Sequence, residues 1–355
     1  MMQYYFLVCL PLLGGGILKY KPQYRRLFLF VAGTIFWFFA SMRYVIGFDY
    51  RFYEGIFVSV SNSSITEILT SEIIEPGYAI LNLAVSCLGG DYRAFLFVFH
   101  LIFTVLVFVW IARYSPEPWL SVYLFVTLQY FAFSMNFLRQ AFAAAILLWT
   151  YPFMKSRRFL PCFGIILLAA TFHRTALVML PLCFLLTLGP TRKRYLSALL
   201  VTGITYLFMD TMIEVVLRFL PKYQHYLTER YWQGNSMIYI LLPLGCFLFT
   251  IPLLKQPYRN PNDSPILANA MFYSLLIQVF ITKHFILERL SIYVAFFSLT
   301  ALPEAVNAPC RLSRKSRLMI LIIGCFVYFL FAASQNFHGV YPYRGIWDKA
   351  LAVSA

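Results

Sequence analysis

From Ala94 to Ala112 the chain runs nineteen residues without an Asp, Glu, Lys or Arg. A stretch of that length and character is a candidate to cross a lipid bilayer, whose hydrocarbon core takes roughly 20 apolar residues of helix. The pattern recurs at Leu27–Ala40, Leu120–Met135, Met237–Leu254 and Leu318–Ala333. Several of these runs are shorter, and flanking Tyr, Trp and Arg can extend them into the interface. Across the 355 residues, 61% are hydrophobic and 12% charged, with a mean hydropathy of +0.72. Soluble domains carry about 25% charged residues because water covers them. Half that share implies that lipid covers most of this chain. The expected fold is an all-α, polytopic integral membrane helix bundle.

A net charge of +15 would suit nucleic acid, yet no basic face is available outside the membrane, so no nucleic-acid partner is expected. The positive residues fall in short clusters between apolar runs, where they orient a membrane protein. These are Lys19/Lys21/Arg25/Arg26, Lys155/Arg157/Arg158, Arg192/Lys193/Arg194 and Arg311/Arg314/Lys315/Arg317. If all four are cytoplasmic, an even number of crossings separates neighbouring clusters. Leu27–Ala40, Ala94–Ala112, Leu120–Met135 and Ala141–Met154 separate the first pair. Phe159–Phe172 and Thr175–Leu188 separate the second pair. Tyr195–Met209, Met237–Leu254, Ile266–Thr282 and Ile286–Leu302 separate the third. Tyr78–Leu88 is bounded by Glu75-Pro76 and Gly89-Gly90 and is too short to cross, so it reads as interfacial or re-entrant. With Met1–Leu18 as a retained first helix, the expectation is about 12 transmembrane helices in a single domain over 1–355. Outer loops are expected at 43–77 and 210–236. Of the 14 acidic residues, only Glu117, Asp263 and Glu304 then fall inside. Such an excess outside points to an outward-facing polar site.

Four places on that outer face carry polar groups at the edge of hydrocarbon. The segment from Arg43 to Glu54 sets Asp49 among Tyr50 and Tyr53, and Glu75 re-enters near the same level. A carboxylate among aromatic rings suits sugar handling. In Asn136-Phe137-Leu138-Arg139-Gln140, Asn136 and Gln140 are spaced to share one helix face, with Arg139 one step round. Thr171-Phe172-His173-Arg174 is a turn with a candidate general base. Arg289 and Tyr293 share a face in Glu288–Tyr293. Arginines at a membrane face call for an anionic, membrane-borne partner, because guanidinium binds phosphate bidentately and keeps its charge. A lipid pyrophosphate fits, with anionic lipid headgroups as the plainer alternative. No Walker A motif, His-Glu-x-x-His, Cys-x-x-Cys or Gly-x-Ser-x-Gly occurs, and the five histidines and seven cysteines are dispersed. No metal and no cofactor are therefore expected.

Taken in order, Arg43…Gly47-Phe48-Asp49-Tyr50…Tyr53, Glu75-Pro76-Gly77-Tyr78…Asn82, Asn136–Gln140, Phe172-His173-Arg174-Thr175-Ala176 and Arg289…Tyr293 resemble the EpsG family of Wzy-type exopolysaccharide, O-antigen and capsule polymerases. The likeness covers about Arg43–Pro303. It implies a glycosyltransferase of the bacterial inner membrane that joins oligosaccharide repeat units carried on undecaprenyl pyrophosphate, at the periplasmic or outer face. A chain-length regulator and a flippase are further candidate partners.

On that resemblance, Arg139, Arg174 and Arg289 would stabilise the departing pyrophosphate, with Arg43 a fourth. Asp49 is favoured narrowly over His173 as general base, with Glu75 third. Tyr50, Tyr53, Gln140 and Tyr293 would orient sugar rings, beside Asn136. Two alternatives stand: a flippase or transporter of a lipid-linked glycan, and a membrane glycosyltransferase using lipid-monophosphate sugars.

Overall fold

The computed structural model describes residues 1–70, 74–219, 236–254, 265–284 and 287–348. Among them every regular element is a helix and no strand forms; an isolated bridge pairs Arg43 with Gly345. The chain groups into two compact units. The first comprises Met1–Thr150, Leu160–Leu177 and Cys310–Ala355, and the second Tyr151–Phe159 and Val178–Pro309.

In the first unit α1 (Met2–Tyr20) and α2 (Arg25–Ser41) lead to two short helices, α3 (Tyr50–Ser61) and α4 (Ile65–Thr70). Next come α5 (Pro76–Cys87), α6 (Tyr92–Tyr114), α7 (Pro118–Thr127), α8 (Tyr130–Asn136) and α9 (Leu138–Leu148). The core is aromatic. The Phe36 ring, fully buried on α2, lies 4.9–5.7 Å from those of Phe108, Phe125 and Phe131 on α6, α7 and α8. Trp37 donates its indole N–H to the Phe97 carbonyl at 3.0 Å, and Trp110 donates to Leu148 at 3.1 Å. Each bond gives a polar atom at a helix contact a partner, which an apolar surrounding makes necessary. Asp91 starts α6 by accepting the Arg93 and Ala94 N–H groups at 3.1 and 2.9 Å, an N-cap typical of Asp.

The expected outer loop 43–77 is therefore partly helical. Its helix α3 shows an apolar face built by Tyr50, Tyr53, Ile56, Phe57 and Val60, at the spacing of three and four that sets residues on one side of a helix. The expected loop 210–236 also begins later. The helix Arg192–Phe219 runs through Asp210, and residues 220–235 lie outside those described.

Among the described residues, four helices are long and apolar enough to cross a membrane: Met2–Tyr20, Tyr92–Tyr114, Arg192–Val215 and Arg314–Ser334. A fifth candidate is the pair Arg289–Ala295 and Ser298–Asn307, bent by 43°. The expected twelve are not reached on this measure, because several apolar runs break. Leu120–Met135 splits at Gln129, which adopts a left-handed φ of 68°. Ala141–Met154 splits at Trp149-Thr150. A ten-residue piece such as α7 rises only about 15 Å against a hydrocarbon core of about 30 Å.

Within the second unit, the helices at Ile238–Leu254 and Ile266–Val279 pack together and against Ser298–Asn307. Asn269 satisfies its buried amide fully: Nδ2 donates to Leu186 and Leu188 carbonyls at 2.8 and 2.9 Å, and Oδ1 accepts from Tyr195.

Truncating Phe36 to Ala should cost about 3–5 kcal/mol, while Phe30→Ala, on the same helix but 73% exposed, should change little. Denaturant unfolding of the two variants in detergent checks the contrast.

Candidate functional site

The site grows from one carboxylate. Pro76 holds the residue before it extended, and Glu75 takes φ −66° and ψ 138° at the head of α5. Gly77 then donates its N–H to the Thr171 carbonyl at 2.8 Å. A Cβ on residue 77 would sit 2.3 Å from Thr171 Oγ1, so this approach requires glycine. The contact lays Glu75 against the turn that follows the helix Phe159–Ala170. There, His173 Nδ1 lies 3.2 Å from Glu75 Oε1, and the Arg174 backbone N–H donates to the same oxygen at 3.3 Å. From α9, Arg139 Nη1 donates to Glu75 Oε2 at 2.6 Å.

Glu75 is 6% exposed. Burial disfavours its charge, but the His173 hydrogen bond and the nearby Arg139 guanidinium outweigh it and hold its pKa at about 2. It is thus ionised and weakly basic at neutral pH. An ionised carboxylate only accepts, so His173 meets it with Nδ1–H, and in the neutral ring Nε2 is the acceptor nitrogen. Around the Arg139 guanidinium, the Phe52, Tyr53 and Tyr78 rings lie 5.8–5.9 Å away, within cation–π range. Arg174 extends its side chain into an exposed position.

Arg139 owes its aim to a break in the helix. Phe137, at φ −100° and ψ 65°, ends α8 and starts α9. Asn136 and Gln140 consequently belong to different helices and do not share one helical face, as their spacing suggested. Both are buried. Asn136 Oδ1 accepts the Asp49 backbone N–H at 3.0 Å, which fixes the half-buried Asp49 beside the break.

Other expected site residues are placed differently. Arg43 is 1% exposed, donates to the Ala40 carbonyl at 3.0 Å and also meets His100 Nε2. It lies beneath the surface because residues 339–346 fold over its segment: Gly47 N–H donates to Gly339, Tyr44 to Arg344, and Ile346 to Met42, at 2.8–2.9 Å. Tyr50, Tyr53 and Tyr293 are 3%, 4% and 0% exposed, so their ring faces contact protein. Arg289 and Tyr293 lie in the second unit, where Asp210 pairs with Lys283 and His284 at 2.7 Å each. Among the described residues, no group of three His, Cys, Asp or Glu is arranged to hold a metal ion.

Sequence reasoning assigned no role to Phe52 or Tyr78 as walls around Arg139, nor any to residues 336–345. The first two sit inside quoted motifs. Nothing in the tail's own sequence announces its docking.

The basic residues gather elsewhere in this unit. Arg25 donates to the Ala112 and Ser115 carbonyls at 3.0 and 2.7 Å, and Arg314 pairs with Glu117. The first and fourth basic clusters therefore meet at one end of α2 and α6, with the Glu75 cluster at the opposite end.

A sequence model of the EpsG family matches residues 26–344. No curated protein and no solved structure matches the chain.

Because the folded pKa of Glu75 lies below its ordinary 4.5, its contribution to stability is complete above that value and fades as pH falls towards about 2. The contribution is about 3 kcal/mol. Glu75→Gln should lower the unfolding temperature at neutral pH and flatten this part of the acid transition. Melting curves taken from neutrality down through that window test it.

Proposed function

The chain belongs to the EpsG family of exopolysaccharide-related membrane proteins, and from that premise we propose that it is a repeat-unit polymerase. Its substrates are oligosaccharides linked to undecaprenyl pyrophosphate, and it works in the bacterial inner membrane with the Glu75 cluster facing the periplasm. In this reading, the shorter apolar helices complete the remaining crossings across their breaks. The observation that carries the proposal is the buried Glu75 carboxylate, joined to Arg139, His173 and the Arg174 backbone at one end of the first unit.

The reaction transfers a growing glycan from its lipid pyrophosphate to a hydroxyl on a new lipid-linked unit. The acceptor oxygen forms a bond to the anomeric carbon as the bond from that carbon to the phosphate oxygen breaks. The lipid pyrophosphate leaves with the electron pair, and the hydroxyl proton passes to a base. Arg139, held by Glu75 and its aromatic walls, and the exposed Arg174 side chain that follows His173 supply positive charge for the developing pyrophosphate.

The geometry shifts the preference for the base from Asp49 to His173. Glu75 is too weakly basic, but it orients the imidazole and leaves Nε2 to take the proton, the role a carboxylate plays behind a catalytic histidine. Asp49 becomes a candidate for holding acceptor hydroxyls. Arg43, buried beneath the turn, supports the scaffold in place of touching pyrophosphate.

Deleting the gene in its host should collapse the glycan ladder to single repeat units, restored by the wild-type gene. Arg139→Ala and Arg174→Ala should each lower polymerisation by about 10²–10³-fold. His173→Ala should fall further than Asp49→Asn if the imidazole is the base; the reverse order would return that role to Asp49. Units trapped on the cytoplasmic side would indicate a flippase, and an unchanged ladder would overturn the polysaccharide reading.

A further inference from the structure

Sugar rings present an apolar face of C–H bonds that stacks on an open aromatic ring, while their hydroxyls need polar partners alongside. The tyrosines that motif reasoning sets to this task are covered by protein. Among the rings that remain open at the Glu75 end are Phe48 and Phe52. Phe48 is 69% exposed and Phe52 is 53% exposed. Phe48 lies in the turn just before α3 and Phe52 in the first turn of that helix. Between them in sequence lies Asp49.

Each ring is anchored at a definite point. Phe52 lies 5.9 Å from the Arg139 guanidinium. Phe48 rests on Gly339, where an added Cβ would fall 2.8 Å from the ring. Gly339 has φ 66°, so it supplies both the backbone shape and the space under the ring. Beside it, the His338 ring stands edge-on to Phe133 and Phe137 at 5.7 and 6.0 Å. The turn carrying Phe48 is itself held under strain: Val45, β-branched, takes φ 47°, a conformation that persists only where the surroundings enforce it. Here the enforcement is the row of backbone bonds to residues 339–346. The tail thus fixes an exposed ring where a freely moving loop would leave it unplaced.

We infer that Phe48 and Phe52 form a sugar-stacking track that leads away from the Arg139 cluster and binds the saccharide rings next to the pyrophosphate, with the C-terminal segment around Gly339 as its floor. This rests on the polymerase reading for its substrate class. The continuity of Phe52 with Arg139 argues for a glycan as occupant: a sugar attached to a phosphate bound at Arg139 lies within reach of this ring. A membrane acyl chain is the competing occupant of an open phenyl ring.

The test uses the full-length protein in nanodiscs and two probes. One is the repeat-unit oligosaccharide released by mild acid from the host's lipid carrier, free of lipid and phosphate. The other is undecaprenyl pyrophosphate without sugar. Phe48→Ala and Phe52→Ala should each weaken oligosaccharide binding about tenfold, and Phe48→Ala, away from Arg139, should leave pyrophosphate-lipid binding unchanged. Phe48→Tyr, which keeps the ring, should retain wild-type affinity for both. Unchanged oligosaccharide binding in the two alanine variants would overturn the track, and so would a loss confined to the lipid probe. A track that fails while Arg139→Ala still collapses the glycan ladder leaves the polymerase reading standing. If wild-type protein binds neither probe, both fall together.

Discussion

A carboxylate buried at the edge of a membrane protein costs several kcal/mol unless cations and N–H groups surround it, and the first unit is organised around meeting that cost at Glu75. Its partners are distant in sequence: Arg139 is 64 residues away and His173 is 98. Three separate segments must converge before the charge is satisfied. The Glu-Pro-Gly order serves this convergence, with proline setting the carboxylate's backbone and glycine letting it close on Thr171. Once assembled, the same pairs hold two side chains of the candidate site still, Arg139 in direction and His173 in ring orientation.

Helix breaks do the aiming. A continuous helix through 120–154 would have carried Arg139 round with every neighbour at 100° steps. The left-handed Gln129 and the non-helical Phe137 interrupt it, and each break is braced. Gln129 accepts the Tyr341 hydroxyl at 2.8 Å, and Phe137 packs against His338. The C-terminal segment therefore supports both breaks, besides covering Arg43. A short stretch after the last long helix thereby contributes to the geometry of a site whose charged residues all lie elsewhere.

Much of the site was legible because its chemistry obliges particular residues. Arg139 and His173-Arg174 stand between apolar runs with no spacer, where a charge is too expensive to be incidental, and Glu75 precedes a proline and a glycine that announce a turn. Asn136 and Gln140 misled because their spacing of four is meaningful only within an unbroken helix. Tyr50 and Tyr53 misled because an aromatic residue near a membrane surface can face water, lipid or its own protein, and composition does not distinguish these. The apolar face of α3 decides it, turning both tyrosines inward and leaving Phe52 open.

Residue chemistry alone determined that this chain is helical and apolar enough for a membrane, that its cations and carboxylates gather at particular turns, and which family order those turns follow. Such properties depend on local hydrophobicity and on the cost of isolated charge, both of which can be read residue by residue. Only the tertiary structure decided which carboxylate meets which arginine, where the long apolar runs break, and which aromatic rings stay open. Those outcomes depend on contacts between segments tens to hundreds of residues apart, such as Gly47 with Gly339, and no single segment carries the information for its partner.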